Sequence, residues 1–213
     1  MWNRIAPIYD PGMKLLMLPF GGERKIRTRF LDAAGVAEGM RVLDIGCATG
    51  TLTRLAGERV GNTGRAVGID LAEGMARRAY RAALACPRPP RFICADAGQL
   101  PFPDASFDRV LAFMVLHELE PDVRAPAVRE CHRVLAPGGC LAVADYAAAA
   151  AGAPILLKLM LKLFEPSWAA EFLHGAHLQV ISSMFTIEQT IPLLDTLIHI
   201  TVARKTTGGP WGA

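Results

Sequence analysis

Short apolar segments alternate along the chain with longer segments in which apolar residues are spaced three or four positions apart. The short segments lie at 41–46, 65–70, 91–96, 109–116 and 140–145, and their composition predicts buried strands. The longer segments predict amphipathic helices between them. Regular strand–helix alternation predicts a parallel sheet with helices on both faces.

The remaining segments extend this pattern at both ends of the chain. Apolar runs at 178–187 and 197–204 predict two late strands that form an antiparallel pair at the sheet edge. The predicted fold is therefore α/β, a Rossmann-like, doubly wound and mostly parallel seven-stranded sheet with an antiparallel edge strand. The predicted helices cover 23–35, a segment beginning near Thr49–Thr51, 72–85, 122–135 (ended by the Pro and Gly residues of 136–139) and 154–168.

Four of the apolar strands end in an aspartate, namely Asp44, Asp70, Asp96 and Asp145. The carboxyl ends of parallel strands lie along one edge of a sheet, where ligands bind in doubly wound folds. The first of these acids is followed directly by a glycine-containing turn, 46–50. This turn is the predicted centre of a ligand site.

The turn departs from two common nucleotide-binding motifs. A dinucleotide fingerprint requires G-x-G-x-x-G, but Ala48 and Thr51 stand at its second and third glycine positions. A P-loop requires lysine after its last glycine, and Gly50 is followed by Thr51 and Leu52. A nicotinamide oxidoreductase is therefore disfavoured, and the pattern that remains is D-x-G-x-x-x-G.

Four segments together carry a family resemblance: "VLDIGCATG" (42–50), "AVGIDLAEGM" (66–75), "CADAGQLPFPDASFDRVLA" (94–112) and "ECHRVLAPGGCLAVAD" (130–145). In this order and spacing the chain resembles the class I S-adenosylmethionine-dependent methyltransferases, in the ubiquinone/menaquinone-biosynthesis-like (methyltransferase type 11) branch. The resemblance implies S-adenosyl-L-methionine as methyl donor and S-adenosyl-L-homocysteine as product. Ala48 stands where the family more often has glycine.

The chemistry of the expected cofactor fits these positions. Backbone N–H groups of the turn suit the methionine carboxylate, Asp44 suits the ammonium, and Asp70 suits the two ribose hydroxyls. Leu71 and Met75 are expected to pack on the adenine, beside the carboxylate of Asp96. The expected cofactor-binding residues are Asp44, Gly46, Cys47, Ala48, Thr49, Gly50, Asp70, Leu71, Met75, Asp96, Ala97 and Phe113. The alternative interpretation is that Asp44, Asp70 and Asp96 cap the helices that follow them.

Candidate catalytic residues are His117 and Tyr9. His117 follows the fourth strand, where a general base would serve a hydroxyl or carbon acid; alternatively, it packs beneath the next helix. Tyr9 matches a tyrosine in the N-terminal lid of many relatives, and core packing is the alternative. Asp145 and Tyr146 are expected to line the acceptor pocket. No metal site is predicted, because Pro121 breaks a zinc-type H-E-x-x-H pattern.

The acceptor is expected to be small and hydrophobic or lipid-like. Segments 13–20 and 155–164 are strongly apolar, and lysines in the second are spaced as in an interfacial helix, although a packed helix with a solvated lysine edge is the alternative. The family's quinone-methylating members usually carry an Arg-Asn pair after the fourth strand, where this chain has "VLHEL". Quinone or phospholipid-amine methylation and a cofactor-binding protein without turnover therefore remain open alternatives.

Length and composition favour one domain: an N-terminal lid with helices (1–35), a cofactor-binding core (36–146), an acceptor-side helix with late strands (147–205) and a flexible tail (206–213). The net charge of +3 is spread along the chain, which disfavours nucleic-acid partners. Five cysteines without C-x-x-C spacing predict reduced thiols. Without a signal-peptide or membrane-spanning pattern, we expect a cytoplasmic protein that contacts the inner face of the membrane peripherally.

Overall fold

A computed structural model describes residues 2–147, 175–194 and 197–206 of the chain. The sheet strands are β1 (Arg41–Ile45), β2 (Arg65–Asp70), β3 (Arg91–Cys94), β4 (Phe107–Phe113), β5 (Leu135–Tyr146), β6 (Phe185–Leu194) and β7 (Ile198–Lys205). The helices are α1 (Trp2–Met17), α2 (Glu23–Ala33), α3 (Thr51–Val60), α4 (Glu73–Ala83), α5 (Pro121–Val134) and α6 (Ala176–Ser182), with short 3-10 helices at Leu18–Phe20 and Leu116–Glu118.

The strands form one sheet in the order β3-β2-β1-β4-β5-β7-β6. Strands β1 to β5 are parallel, whereas β7 runs antiparallel to both β5 and β6. This arrangement confirms the predicted α/β fold and its antiparallel pair at one edge. The chain order reverses between β1 and β4, so a crevice is expected at the carboxyl ends of these two strands.

Helix α2 shows how the apolar spacing becomes packing. Ile26, Phe30 and Ala34, which lie four positions apart, are all buried. Phe30 meets Phe113 of β4 edge-on, with the ring centroids 5.3 Å apart. This contact fixes α2 against the strand that leads into the crevice.

Two segments differ most from the prediction, and smaller differences are that β3 ends at Cys94 instead of 96 and that β4 covers Phe107–Phe113 instead of 109–116. Strand β5 begins at Leu135 instead of 140, because Leu135 already pairs with Phe107 and the register then shifts to the pair Arg109–Cys140. The Pro and Gly residues thus form a bulge inside the strand, and Gly138 adopts a left-handed conformation there. The strand predicted over 178–187 is wrong for residues 178–182, which belong to α6. The predicted helix at 154–168, the apolar segment 155–164 and residues 207–213 of the tail lie outside the described residues.

Candidate functional site

A cavity of about 450 Å³ opens at the carboxyl edge of the sheet, beside α1. It brings together most of the residues predicted from the sequence, which are Tyr9, Gly46, Ala48, Asp70, Leu71, Met75, Asp96, Ala97 and Phe113, together with Met114. The prediction missed other residues of its lining: Ile69, Ala95, Val115, Glu118, Leu119, Glu120 and Val123. The predicted residues Asp44, Cys47, Thr49, Gly50 and His117 do not appear among the described lining residues.

Asp70 is held in place by two backbone N–H groups. Ala48 N–H donates to its Oδ2 at 2.9 Å, and Ala72 N–H donates to its Oδ1 at 2.8 Å. Burial raises the pKa of the Asp70 carboxyl, while these two hydrogen bonds act in the opposite direction. Each carboxylate oxygen has a second lone pair, so this fixed carboxylate suits a neighbouring pair of hydroxyl groups. The bond from Ala72 also fits the capping alternative, since Ala72 is the N-cap of α4.

The glycines of the turn make room for neighbouring side chains. A Cβ at Gly46 would lie 2.2 Å from Val115 Cγ2, and one at Gly50 would lie 2.6 Å from the Phe92 ring. Both glycines have positive φ, and so does Ala48, with φ of 48°. An L-residue with a side chain is strained in this region. The substitution of alanine for the family's glycine therefore carries a conformational cost that the sequence did not reveal.

The turn uses several of its own N–H groups to bind the rest of the protein. Cys47 N–H donates to Ile69 O at 2.9 Å, Gly50 N–H donates to Cys47 O at 2.9 Å, and Ala48 N–H binds Asp70. The N–H groups of Cys47, Ala48 and Gly50 therefore already have partners within the protein, and binding of a cofactor carboxylate by the turn stays a prediction. The bonds from Cys47 and Ala48 fasten the turn to β2, and the bond from Gly50 closes the turn on itself.

Asp44 lies beneath the turn and is 2% exposed. Its Oδ2 accepts a hydrogen bond from the Thr53 hydroxyl at 2.6 Å, in the first turn of α3. Burial raises the pKa of the Asp44 carboxyl to about 7, although the Thr53 bond and the charge of Arg27 lower it. This contact joins two side chains and supports the first turn of α3.

Asp96 differs from the other two acids. It is exposed, and its Oδ1 accepts a hydrogen bond from Gly98 N–H at 2.7 Å. The capping alternative is wrong here, because residues 95–106 contain no helix. Asp96 and Ala97 are held at the cavity by this tight turn.

Helix α1 forms one wall of the cavity through Tyr9. The Thr49 hydroxyl, which is 3% exposed, donates to Asp10 Oδ1, and Arg78 Nε donates to Asp10 Oδ2 at 3.2 Å. Burial raises the pKa of the Tyr9 hydroxyl, with the positive charge of Arg27 opposing the shift. Thr49 therefore fastens α1 over the turn and does not face the cavity.

His117 lies one layer behind the cavity and is 2% exposed. Its Nδ1 is 2.7 Å from Asp145 Oδ1, and its backbone N–H donates to Asp145 Oδ2 at 3.3 Å. Its Nε2 is 3.6 Å from Oε1 of Glu118, whose side chain does line the cavity. Tyr146 N–H also donates to Asp145, and the Tyr146 ring stacks near His117. Asp145 and Tyr146 thus support His117 instead of lining this cavity.

The cavity's charged side chains are all acidic in the described lining: Asp70, Asp96, Glu118 and Glu120. Arg27 lies behind this wall, with its guanidinium carbon 4.9 Å from the centroid of the Phe113 ring. The other lining side chains are mostly apolar. Carboxylates suit a cation and hydroxyl groups, while an apolar surface suits an aromatic base. The residues present therefore fit the expected sulfonium nucleoside.

Two of the missed cavity residues, Glu118 and Val115, show why local sequence motifs did not reveal the whole lining. Glu118 stands next to His117, and only the 3-10 helix at Leu116–Glu118 decides which of the two side chains reaches the cavity. Val115 is missed because its role follows from Gly46, 69 positions earlier in a different loop, which it contacts only in the folded chain. Neither relation is visible as a local motif.

Comparison with known proteins identifies related sequences. Residues 42–139 match the family model described as "Methyltransferase domain". The chain is 36% identical over 150 residues to the chloroplastic 2-phytyl-1,4-beta-naphthoquinone methyltransferase of Arabidopsis thaliana, covering 68% of this chain and 56% of that protein. It is 39% identical over 147 residues to the demethylmenaquinone methyltransferase of Thermus thermophilus, covering 68% and 64%. The aligned part spans less than two thirds of the length of these relatives.

Solved structures share the fold at lower sequence identity. A SAM-dependent methyltransferase from Aquifex aeolicus superimposes with a TM-score of 0.68 at 20% identity, covering 84% of this chain and 89% of that one. At this identity the likeness concerns the fold alone. The sequence matches and the cavity chemistry are two separate observations that agree.

Proposed function

The chain belongs to the class I S-adenosylmethionine-dependent methyltransferases, in the ubiquinone/menaquinone-biosynthesis-like branch, and on this premise we propose that it transfers a methyl group from S-adenosylmethionine to a small hydrophobic or lipid-like acceptor. The observation that carries the proposal is the Asp70 carboxylate, which is fixed by the Ala48 and Ala72 N–H groups at the edge of a largely apolar cavity.

We assign the nucleoside to the part of the cavity next to Asp70. Its two oriented oxygens would accept hydrogen bonds from the ribose hydroxyls. Leu71 and Met75, which follow Asp70 along the same wall, would pack on the adenine. Asp96 would accept from the adenine amino group. All four residues line the same cavity, which supports these assignments.

S-adenosylmethionine supplies an electrophilic methyl group on a sulfonium, and the transfer is a displacement that needs alignment and the exclusion of water. The residues suited to this task are Phe113, Met114 and Leu119, which form an apolar part of the cavity wall. Phe113 is itself held by Phe30 and by the guanidinium of Arg27. The wall near the methyl group would thus be rigid and apolar.

A proton must leave the acceptor if the methylated atom is a hydroxyl oxygen or an acidic carbon. We propose that Glu118, at the cavity, and His117, behind it, receive this proton together. Asp145 fixes the Nδ1 side of the imidazole, so Nε2 is directed to Glu118. His117 is therefore a positioning residue and proton reservoir, and Glu118 is the group that faces the acceptor.

The acceptor class follows from the apolar wall and from the relatives, which are named for naphthoquinone and demethylmenaquinone methylation. We propose a lipophilic acceptor without assigning a quinone, because "VLHEL" replaces the Arg-Asn pair after β4. We further propose one domain over 1–205 and a cytoplasmic protein that meets the membrane surface from the inner face.

Titration calorimetry with S-adenosylhomocysteine tests the cofactor assignment. We expect saturable binding by the wild type, weakened about 30-fold or more in Asp70→Ala, because two hydroxyl groups would lose their partner. Asp122→Ala, which removes an exposed acid on α5, is the control and should bind as the wild type does. No binding by the wild type, or unchanged affinity in Asp70→Ala, contradicts the assignment, and NADH should give no heat of binding.

Turnover is measured with radiolabelled methyl groups on S-adenosylmethionine. The acceptors are reduced 2-phytyl-1,4-naphthoquinone and phosphatidylethanolamine vesicles. Transfer to either one supports an enzyme acting on lipophilic acceptors and separates quinone from amine methylation. An extract of cellular lipids serves as a third, unselected acceptor. Tight binding of S-adenosylhomocysteine without methyl transfer to any of the three acceptors favours the alternative of a cofactor-binding protein without turnover.

A further inference from the structure

Large apolar side chains are exposed at the carboxyl end of α1 and in the turn that follows it. Leu15, Leu18 and Phe20 are 73%, 67% and 41% exposed, and Pro19 between them is exposed as well. We call these four residues the apolar tip. Met17 is buried, so the end of the helix is apolar on its outer side as well as on its packed side. Clustered exposed apolar residues of this kind mark an interaction surface.

Basic side chains surround the apolar tip. Lys14 precedes it, and Arg24 and Lys25 follow it at the start of α2, all exposed. A neighbouring cavity of about 360 Å³ is lined by Lys14, Arg24 and Arg54. Its acids are already engaged, since Glu58 pairs with Arg24 and Glu23 pairs with Arg27. In the described part of the chain, no acidic side chain pairs with Lys14, Lys25 or Arg54.

The backbone of the turn can enter an apolar medium without leaving its glycine N–H groups unsatisfied. Gly21 N–H donates to Leu18 O at 3.1 Å, and Gly22 N–H donates to Met17 O at 2.9 Å. Pro19 has no N–H group. Because an unsatisfied backbone group is costly in hydrocarbon, this closed turn is suited to insertion into lipid.

We propose that the apolar tip inserts into the interfacial layer of an anionic membrane, with Lys14 and Lys25 at the lipid phosphates. Aliphatic and phenyl side chains next to flexible lysines are typical of peripheral membrane binding. The tip offers no tyrosine, tryptophan or arginine, the residue types that anchor most protein–protein interfaces. Within the described residues no helix is long and apolar enough to cross a bilayer.

The same helix connects this surface to the candidate site. Tyr9 lines the cavity, and Leu15 lies about 9 Å further along the helix axis, at 1.5 Å per residue. Asp10 fastens the intervening turn of α1 to Thr49 and Arg78. Docking by the tip would therefore bring the cavity to the lipid in which a hydrophobic acceptor dissolves. This consequence rests on the proposed function, whereas the docking itself does not.

Vesicle sedimentation tests the surface. The probes are vesicles of phosphatidylcholine alone and of phosphatidylcholine with phosphatidylglycerol. We expect the full chain to sediment with the anionic vesicles, and the triple variant Leu15→Ser/Leu18→Ser/Phe20→Ser to lose at least about tenfold in affinity, because the apolar insertion is removed. The control Tyr80→Ser/Leu84→Ser alters side chains that are 56% and 59% exposed on or beside α4. It should bind as the wild type does.

Charge-reversal variants measure the contribution of the lysines to vesicle binding separately. Lys14→Glu/Lys25→Glu should abolish the preference for phosphatidylglycerol, and about 0.5 M salt should weaken wild-type binding because surface charges are screened. Arg81→Glu/Arg91→Glu, which reverses two exposed charges elsewhere, should retain more of the binding. The affinity for S-adenosylhomocysteine should be equal in all variants, which shows that they are folded.

Three results would overturn the docking proposal. The first two are a wild type that does not sediment with anionic vesicles and a triple variant that sediments with them as the wild type does. The third is a triple variant in which only the oligomeric state changes, since the apolar tip would then bind a second copy of the chain. A wild type that sediments with anionic vesicles but does not bind S-adenosylhomocysteine would instead contradict the proposed function and leave the docking proposal supported.

Discussion

The two sides of the cavity are built by different means. On the side that we propose for the cofactor, backbone N–H groups hold a carboxylate, since Ala48 and Ala72 both donate to Asp70. On the side of the β4 loop, side chains hold one another, with Asp145 supporting His117 and His117 approaching Glu118. A turn that depends on glycines with positive φ tolerates few substitutions, whereas a network of interacting side chains can be formed by several combinations of residues. The first side is therefore suited to a ligand with a fixed set of polar groups, and the second to an acceptor whose chemistry can vary.

This difference separates the expected effects of mutation. Changes in the turn 46–50 should affect both stability and cofactor affinity, because its glycines pack against neighbouring side chains and its Ala48 N–H orients Asp70. Changes in the His117 network should affect transfer while cofactor affinity stays constant. A mutation that breaks this rule would show that the two sides are coupled.

The largest expected effect is that of Gly46→Ala. The new Cβ would meet Val115 Cγ2 at 2.2 Å in a backbone with φ of 63°, so overpacking and backbone strain act together. We expect the free energy of unfolding, measured by urea denaturation, to fall by about 3 kcal/mol or more. Binding of S-adenosylhomocysteine should be lost.

Gly138→Ala is the matched control for this variant. Gly138 has φ of 73°, but no described atom lies within 4 Å of its Cβ position, so the substitution adds strain alone. We expect a loss of about 1 kcal/mol in the free energy of unfolding. Equal losses in the two variants would mean that Val115 moves aside and that the turn is not packed as described.

The next largest effect concerns the other side of the cavity. His117→Gln should lower kcat about 100-fold on a hydroxyl or carbon-acid acceptor, because Glu118 would lose the imidazole that shares the proton with it. An amine acceptor that is already deprotonated should be affected far less. The affinity for S-adenosylhomocysteine should stay constant, and His132→Gln, in a half-buried histidine packed on Phe185, serves as the control. Equal loss on both acceptor classes would show that His117 only positions Glu118.

The sequence predicts the cofactor side well because its signals are local. Strand β2 has the bounds predicted for it, and Asp70 ends it as expected. Asp96 also lies at the cavity as predicted, although β3 ends at Cys94, two residues before it. In each case a short apolar run and one polar residue determine both the element and the position of the side chain.

Prediction was weaker where long-range contacts decide. Residues 178–182 contain the strand-forming residues Val180 and Ile181 but belong to α6, where Ile181 is fully buried. Packing in the folded chain therefore outweighs the local strand preference. Pro137 and its glycines signal a break, yet pairing of Leu135 with Phe107 draws them into β5. The orientation of His117 away from the cavity depends on Asp145, 28 positions later. No local pattern contains these relations.

The pH dependence of stability tests whether Asp44 belongs to the cofactor side. The pKa of its carboxyl is raised by burial from 3.8 to about 7. Between these values the folded protein holds a proton that the unfolded chain has released. The contribution of Asp44 to stability is therefore complete below the lower value and falls as pH rises toward the upper one, by about 1.4 kcal/mol per pH unit.

Urea denaturation across this pH range measures the slope, and Asp44→Asn should remove it. Asp108→Asn is a control of opposite sign, because the hydrogen bond from Arg41 lowers the pKa of Asp108 and its contribution is lost as pH falls. Saturating S-adenosylhomocysteine should flatten the slope of the wild type if Asp44 meets the ammonium group. An unchanged slope would leave Asp44 as a support for α3 alone.

The smallest effect comes from restoring glycine at position 48. Ala48 has φ of 48°, and relief of this strain, partly offset by the greater freedom of glycine in the unfolded chain, should stabilise Ala48→Gly by about 1 kcal/mol. Ala105, with φ of 55° and no place in the cavity lining, provides the matched control Ala105→Gly. Both variants should gain similar stability, because both lose the same methyl group from the same backbone region. Since Ala48 N–H still donates to Asp70, the affinity for S-adenosylhomocysteine should hold in both. Weaker binding in Ala48→Gly alone would show that the methyl group contacts the cofactor, and a loss of stability in that variant would show that the backbone strain is not relieved.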